Sequence, residues 1–393
     1  MAKTLVSIIS AQTIPNYVFI KDYFEQNDRL LFFTSSTLSK PLDYILNALK
    51  IERENVDVCP LSEENWEEMR NQIASVINPD ARYIVNTTGG TKYMSMAVWE
   101  EFRKHKKTDF VYIPHPKNIY LRTHDKSTPI QQRVSIKEFM AVTKAVEYSV
   151  KQCTKTKEYV NQFFNLFQSF TQDEMMLIEK IRKNFRNQKF EIEDVMLVEQ
   201  QATSKVTNQG KNTEKKYYFE QIPNLSSFLE RINFPHTANR LSNADIEFLT
   251  GGWYEEYMYH LIEEKVQPDD IALGVFIKQT DETNTNDLDV VFTKGNKLFV
   301  IECKTAITKL QFEDKVVKGQ EGMFKEIAYK AATIKASLLG LPSESYICSL
   351  TESGDKFRDI AKKLGIVYYD KQFFTNPEKQ ESFIQDILKK ANL

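Results

Sequence analysis

The sequence is poor in the residues that staple a fold or ligate a metal. Four cysteines in 393 residues, Cys59, Cys153, Cys303 and Cys348, lie far apart and form no C-x-x-C pair. That spacing argues against a zinc ribbon or a disulfide framework and for a reducing cytosol. The five histidines show no H-E-x-x-H or similar spacing, so no histidine-built metal centre is expected. No apolar run approaches the length of a membrane span, so no membrane partner is expected. The opening stretch "MAKTLVSIISAQTIPN" turns polar by Ser10, too soon for a signal peptide, and reads as a first strand in a cytoplasmic protein. A formal net charge of -2 provides no global basic field, so any site for a polyanion has to be local. What remains is ordinary and soluble, 41% hydrophobic and 27% charged, and long enough for two domains plus a connector.

The order of elements gives an α/β class. Up to about residue 125, β-rich runs ("TLVSII", "RLLFFT", "VDVC", "RYIVN", "DFVYI") alternate with runs of helical spacing such as "LDYILNALK" and "TKYMSMAVWEEFRKH". That rhythm predicts a parallel sheet with helices on both faces, and "IPHPKNIYLR" adds a further strand. Residues 136–238 form a mostly helical connector with a small β element, open to a winged-helix reading. There "SIKEFMAVTKAVEYSV" and "KEYVNQFFNLFQSF" read as helices, and Thr171 and Glu174 make a capping box ahead of an apolar stripe. From 239 to 393 a helix ("ADIEFLTGGWYEEYMYHLIEEKV") leads into two apolar runs. A helix, a strand, a helix and a last strand then follow.

Those two runs, "NDLDVVFTKGNKLFVIECKTA", hold charges where a core strand should not. Gly295-Asn296 between them is a hairpin signal. The register then sets Thr293 against Leu298, Val291 against Val300, Asp289 against Glu302 and Asp287 against Lys304. Alternation puts these four charged residues on one face at one end of the hairpin. The other face carries Leu288, Val290, Phe292, Phe299, Ile301 and Cys303. Two carboxylates directly opposed repel, and a hard divalent cation between them gives the arrangement a purpose. Such an ion takes oxygen ligands, here Asp289, Glu302 and the backbone carbonyl of Cys303. Lys304 is then placed to orient a water or to offset charge on a phosphate.

Asp289 followed by Glu302-Cys303-Lys304 resembles the PD-(D/E)xK nucleases. The resemblance implies Mn²⁺ or Mg²⁺ as cofactor and often a glutamate on the preceding helix. In "GGWYEEYMYHL" the family's Trp, one residue, then Glu pattern favours Glu255 over Glu256. Residues 304–335 hold seven lysines against four acids. Among them Lys330 is the chosen accessory residue and Gln320 a weaker candidate, with Lys309, Lys315, Lys318, Lys325 and Lys335 read mainly as solvated surface.

Three N-terminal strands end in polar loops: "SAQTIPN", "TSST" and "NTTGGTKYM". In a parallel sheet these ends share one edge, where ligands bind. Helix N-termini there offer free amides to an anion. Capping alone explains the first two loops, but it does not require Gly89, Gly90 and Lys92. None matches G-x-G-x-x-G or the P-loop pattern. Together "SAQTIPN" and "NTTGGTKYM" resemble the ligand loops of CARF domains, the Rossmann-like sensors of type III CRISPR systems. With the nuclease unit, the chain resembles their CARF–nuclease effectors: a CARF domain over 1–135, the connector, and a PD-(D/E)xK, restriction-endonuclease-like domain over 239–393. The resemblance implies a homodimer and a cyclic oligoadenylate activator, most often cyclic tetra-adenylate. It also implies single-stranded DNA and/or RNA as substrate, with nicking of duplex DNA. Carried over by position, the ligand contacts are Gln12, Thr13, Asn16, Ser35, Ser36, Asn86, Thr87, Gly89, Gly90, Thr91, Lys92 and Tyr93. The rival readings are a ligand-independent restriction or repair endonuclease and a ligand-responsive transcription regulator using the basic segment "EKIRKNFRNQK".

Overall fold

The computed structural model describes residues 2–35, 39–114, 117–143, 145–182, 194–196, 217–218, 224–235, 240–279, 286–305, 320–337, 343–351 and 355–391. In chain order its first part runs β1 (Thr4–Ile8), α1 (Ile14–Tyr23), β2 (Arg29–Thr34), α2 (Ser39–Leu49), β3 (Asp57–Pro60), α3 (Trp66–Ser75), β4 (Tyr83–Asn86), α4 (Lys92–Phe102), β5 (Thr108–Tyr112), β6 (Ile119–Arg122), β7 (Thr128–Pro129), α5 (Ile136–Ala141) and β8 (Ala145–Lys151). Next come α6 (Lys157–Phe167), α7 (Gln172–Ile181), β9 (Asp194–Met196), β10 (Tyr217–Tyr218), α8 (Leu225–Arg231), β11 (Arg240–Ser242), α9 (Asn243–Glu247) and α10 (Trp253–Lys265). The last part is β12 (Asp270–Gln279), β13 (Asn286–Lys294), β14 (Lys297–Lys304), α11 (Gln320–Ser337), β15 (Ser343–Ser349), α12 (Asp355–Lys363), β16 (Val367–Tyr369), α13 (Gln372–Thr375) and α14 (Pro377–Ala391). Two compact units result: Met1–Lys151 with Lys265–Glu302 and Ala306–Leu393, and Gln152–Glu264 with Cys303–Thr305.

The first unit holds two sheets. The N-terminal one has strand order β3-β2-β1-β4-β5-β6-β7, parallel from β3 through β5 and antiparallel beyond. Its strands are apolar on both faces, as a covered parallel sheet requires. Leu5, Leu30 and Phe32 pack with Tyr17, Ile45 and Phe139 on one side. Val6, Leu31 and Phe33 pack with Met69, Val98 and Phe102 on the other. The second sheet runs β16-β15-β14-β13-β12-β8. Its Ala272, Val275, Leu288, Val291, Leu298 and Val300 join the same core as the first sheet's α1, α2 and α5 residues.

The two sheets are tied at the hairpin turn. Gly295 and Asn296 both have φ of 60°, as a two-residue I′ loop demands. The pairs Val290 with Ile301 through Lys294 with Lys297 follow the register the sequence predicts. Asn296 is buried. Its amide donates to Asn118 Oδ1 at 2.8 Å and the Gln132 carbonyl at 3.1 Å, and it accepts from Val134 N at 3.0 Å. Nearby, Asp270 accepts from Ile136 N at 2.8 Å.

The second unit is aromatic at heart. Phe164 stacks on Tyr257 at 4.0 Å, while Phe163 and Phe167 meet Trp253 at 5.3 and 4.6 Å. The capping box of Thr171 and Glu174 starts α7 as expected. A small sheet, β10-β9-β11, accompanies helices α6 to α10 among the described residues. The basic segment runs out of the described residues after Arg182, and the polar loop around Asn208–Asn212 lies outside them.

The structure corrects several element readings. Residues 136–150 give one short helix and then strand β8, because Val146, Tyr148 and Val150 alternate with polar residues in the sequence and Ala145, Glu147, Tyr148, Ser149 and Lys151 pair with β12. The helix expected over 244–266 is broken in two at Gly251, and strand β11 just ahead of it went unpredicted. Strand β12 and the terminal helices α13 and α14 went unpredicted.

Candidate functional site

The hairpin delivers its acids as buried side chains. Asp289 is 7% and Glu302 6% exposed, and the register of β13 on β14, continued one step past Val290–Ile301, sets them opposite each other. The reverse face is apolar, with Leu288, Val290, Phe292, Phe299 and Ile301 fully covered and Cys303 at 5%. Two carboxylates so placed resist burial unless a cation offsets them, and their oxygens suit a hard divalent ion. The Cys303 carbonyl accepts a hydrogen bond from Lys304 Nζ at 3.1 Å. Among the described residues no group of three or more His, Cys, Asp and Glu gathers at one point.

Lys330 arrives at the acidic end from α11. It is exposed, and its Nζ donates to the Asp287 carbonyl at 3.3 Å, two residues before Asp289. The Asp287 side chain lies 4.0 Å from Lys151 Nζ, a β8 lysine that sequence reasoning missed. Its signal is only the strand alternation of 145–151. On α10 the two adjacent glutamates differ. Glu256 is buried and accepts from Thr154 N at 2.8 Å, Thr154 Oγ1 at 2.6 Å and Lys155 N at 3.2 Å. It is a structural cap, and with burial it pushes the Cys153 thiol up to about 11. Glu255, the residue singled out from sequence, is partly exposed. Gln320 has only its backbone described, as the start of α11, and Lys309, Lys315 and Lys318 lie outside the described residues.

At the N-terminal sheet the three loops lie at the C-terminal ends of β1, β2 and β4. Gln12, Thr91, Lys92 and Tyr93 are exposed, and Thr87 is partly so. Thr13 is buried, with its hydroxyl donated to the Val142 carbonyl at 2.8 Å. Asn16 and Asn86 are fully buried and bind each other: Asn86 Nδ2 donates to Asn16 Oδ1 at 3.1 Å, and Asn16 Nδ2 to the Ile8 carbonyl at 2.9 Å. This pair fastens the ends of β1 and β4. Gly89 has a reason beyond any ligand, since a Cβ there meets the Ile8 carbonyl oxygen at 2.1 Å. Gly90 has φ of 77° and a Cβ there meets Ile8 Cγ2 at 2.3 Å. Thr91 caps α4 by accepting from Met94 N at 3.1 Å. Ser35 is buried, and Ser36 lies outside the described residues.

Beside this loop Thr87, Ser95, Met96, Trp99, Glu100 and Arg103 line an open cleft of about 460 Å³. Tyr93, Met96 and Trp99, one apolar stripe of α4, are 40%, 63% and 41% exposed. That stripe is visible in the sequence as 93, 96 and 99, but helical spacing alone reads as core.

A Rossmann-like sensor sheet and an acid-bearing hairpin in one chain define a CARF-domain endonuclease, and sequence comparison agrees. Residues 4–139 match the model of the Card1 CARF domain, and residues 242–372 match the Card1-like endonuclease domain. The chain thus joins a Card1-type CARF domain to a Card1-like endonuclease domain. No curated protein matches the sequence significantly. Solved structures share the fold at low identity. Protein VC1899 from Vibrio cholerae is 16% identical with a TM-score of 0.71, over 99% of this chain and 98% of that one. Can2 from Sulfobacillus thermosulfidooxidans, solved in complex with cyclic tetra-adenylate, is 16% identical with a TM-score of 0.68, over all of both chains. No helix among the described residues is long and apolar enough to cross a membrane.

Proposed function

We propose that the chain is a metal-dependent endonuclease of antiviral CRISPR defence, switched on when a cyclic oligoadenylate, first among them cyclic tetra-adenylate, binds its CARF domain. The observation that carries this reading is the buried, register-matched pair Asp289 and Glu302 in a chain that also holds a CARF domain. Can2, of the same fold, is solved with cyclic tetra-adenylate. The substrate is single-stranded DNA and/or RNA, with nicking of duplex DNA, cleaved in the cytoplasm.

Asp289, Glu302 and the Cys303 carbonyl would hold the ion, Mn²⁺ or Mg²⁺, which would supply Lewis-acid stabilisation of the phosphate. Lys304 orients an attacking water and offsets charge on the phosphate. Glu255 contributes from α10, and Lys330 draws the substrate backbone toward the acidic end of β13. At the sensor, Gln12, Ser35, Ser36, Thr87, Thr91, Lys92 and Tyr93 contact the ligand. The backbone of Gly89 and Gly90 lies against it, and Thr13, Asn16 and Asn86 hold the loops in place. Two chains share one symmetric ligand as a homodimer, with the exposed α4 stripe turned to the partner.

One set of assays tests the reading. Single-stranded DNA, RNA and plasmid are incubated with Mn²⁺ or Mg²⁺, with and without each cyclic oligoadenylate. Cleavage is expected only with metal, and far faster with activator than at the basal rate without it. Glu302→Ala, Asp289→Asn and Lys304→Ala are each expected to lower the activated rate at least ~100-fold, the scale of losing a charge-stabilising group. Full activity of the Glu302 or Asp289 variant, or cleavage indifferent to activator, would sink it.

A further inference from the structure

We propose that Tyr329 is a stacking platform for an unpaired nucleobase, placed beside the phosphodiester to be cut, and that it favours single strands over duplex. The proposal deepens the nuclease reading above and rests on it. Helix α11 turns Phe324, Ala328 and Ala331 inward, all buried, and Phe324 packs on Phe357 at 4.5 Å and edge-on to Tyr368 at 5.2 Å. These spacings fix the rotation of the helix and leave Glu326, Tyr329, Lys330 and Thr333 on the open side. Tyr329 is 58% exposed, the largest value for any aromatic described.

A single exposed aromatic is ordinary. What distinguishes this one is its neighbour. The Lys330 bond to the Asp287 carbonyl at 3.3 Å fastens this turn of α11 to the end of β13 that carries Asp289. Tyr329 is therefore one residue from the lysine that reaches the acidic site. Thr333 Oγ1 donates to the Tyr329 carbonyl at 2.8 Å, so the main chain there is held. An aromatic face next to a cation is the arrangement by which proteins grip single strands: the cation takes the phosphate, and the ring takes the base. Every base has such a face, so this contact selects for strandedness and not for sequence. In a duplex the base faces are already stacked, and reaching the ring requires unpairing.

The test uses full-length protein with cyclic tetra-adenylate, in a Glu302→Gln background that keeps the substrate intact. Binding of fluorescein-labelled single-stranded DNA, RNA and duplex DNA is measured by anisotropy. Tyr329→Ala is expected to weaken single-strand binding about 5- to 100-fold, the range for losing one stacked base. Tyr329→Phe is expected to bind like the parent, and duplex affinity to change less than about twofold. A 2-aminopurine base in the single strand is expected to be quenched by the parent and not by Tyr329→Ala. Equal losses on single strand and duplex, a Phe variant as weak as Ala, or an Ala variant like the parent would each overturn the proposal. The two readings separate cleanly. A wild-type chain that cleaves while Tyr329→Ala cleaves and binds equally well keeps the nuclease and loses the platform. A chain that quenches the base through Tyr329 but never cleaves keeps the platform and loses the nuclease.

Discussion

Glu138 shows how much one side chain organises the sensor. Its carboxylate accepts from Lys21 Nζ at 2.6 Å, Tyr17 OH at 2.7 Å and Ser135 N at 2.9 Å, closing the capping box of α5 and tying it to α1. Burial alone raises its pKa, but the Lys21 ion pair, the Ser135 amide and the Tyr17 hydroxyl outweigh burial and hold it at about 2, below the ordinary 4.5. A group depressed on folding adds stability that is full above its unfolded pKa and disappears as pH falls through the folded one. The gap in melting temperature between wild type and Glu138→Gln is therefore expected to be constant near neutrality and to close between about pH 4.5 and 2. A gap independent of pH would show that the contact is steric and not ionic. Gly89 makes a second test at this scale. With 2.1 Å between a new Cβ and the Ile8 oxygen, Gly89→Ala is expected to cost about 1–3 kcal/mol as overpacking, read as a lower denaturation midpoint without ligand. An unchanged midpoint would mean the loop yields freely.

At the scale of elements, the hairpin is a rod with a different attachment at each end. Asn296 at its turn is bonded to the segment from Asn118 to Val134 of the sensor domain, and Glu302 lies six residues further on, in β14, roughly 20 Å at strand rise. Asn296→Gly keeps the positive φ but deletes these bonds and strands the Val134 amide, at a cost of about 1–3 kcal/mol. The expected outcome is a fall in the ratio of activated to basal cleavage, beyond any fall in the basal rate. Equal falls in both rates would reduce Asn296 to a structural role. This rod was legible in the sequence because a Gly-Asn turn, period-two alternation and opposed acids all specify one register. Strand β8 was not, because "AVEYSVK" is stabilised as a strand by pairing with β12, more than a hundred residues away, and nothing local outweighs the helical start before it. The polar sensor loops were legible as loops only. Asn16 and Asn86 read as ligand contacts, and the fold shows them bonded to each other; a short sequence does not distinguish an amide facing a ligand from one joining two strand ends.

For the whole molecule the proposed homodimer sets the scale. The α4 stripe leaves Met96 63% and Trp99 41% exposed next to the "NTTGGTK" loop, and a contiguous apolar patch beside a ligand edge marks an association face. A two-fold symmetric ligand on such a face binds once per pair of chains. Light scattering is therefore expected to give twice the 45.9 kDa chain mass, and titration calorimetry one cyclic tetra-adenylate per two chains. Met96→Glu is the sharpest probe, since the side chain is the most open of the stripe and its loss leaves the core under α4, Ala97, Val98 and Phe102, intact. A pair of charges placed across a two-fold axis repels its own copy. The variant is expected to be monomeric, to melt within a few degrees of wild type without ligand, and to bind the activator at least ~10-fold more weakly. Ligand stabilisation follows occupancy, so the thermal shift at a fixed activator concentration should shrink accordingly. A wild-type chain that is monomeric with one ligand per chain would remove the shared site, while a dimer indifferent to Met96→Glu would move the association face elsewhere on the sensor domain.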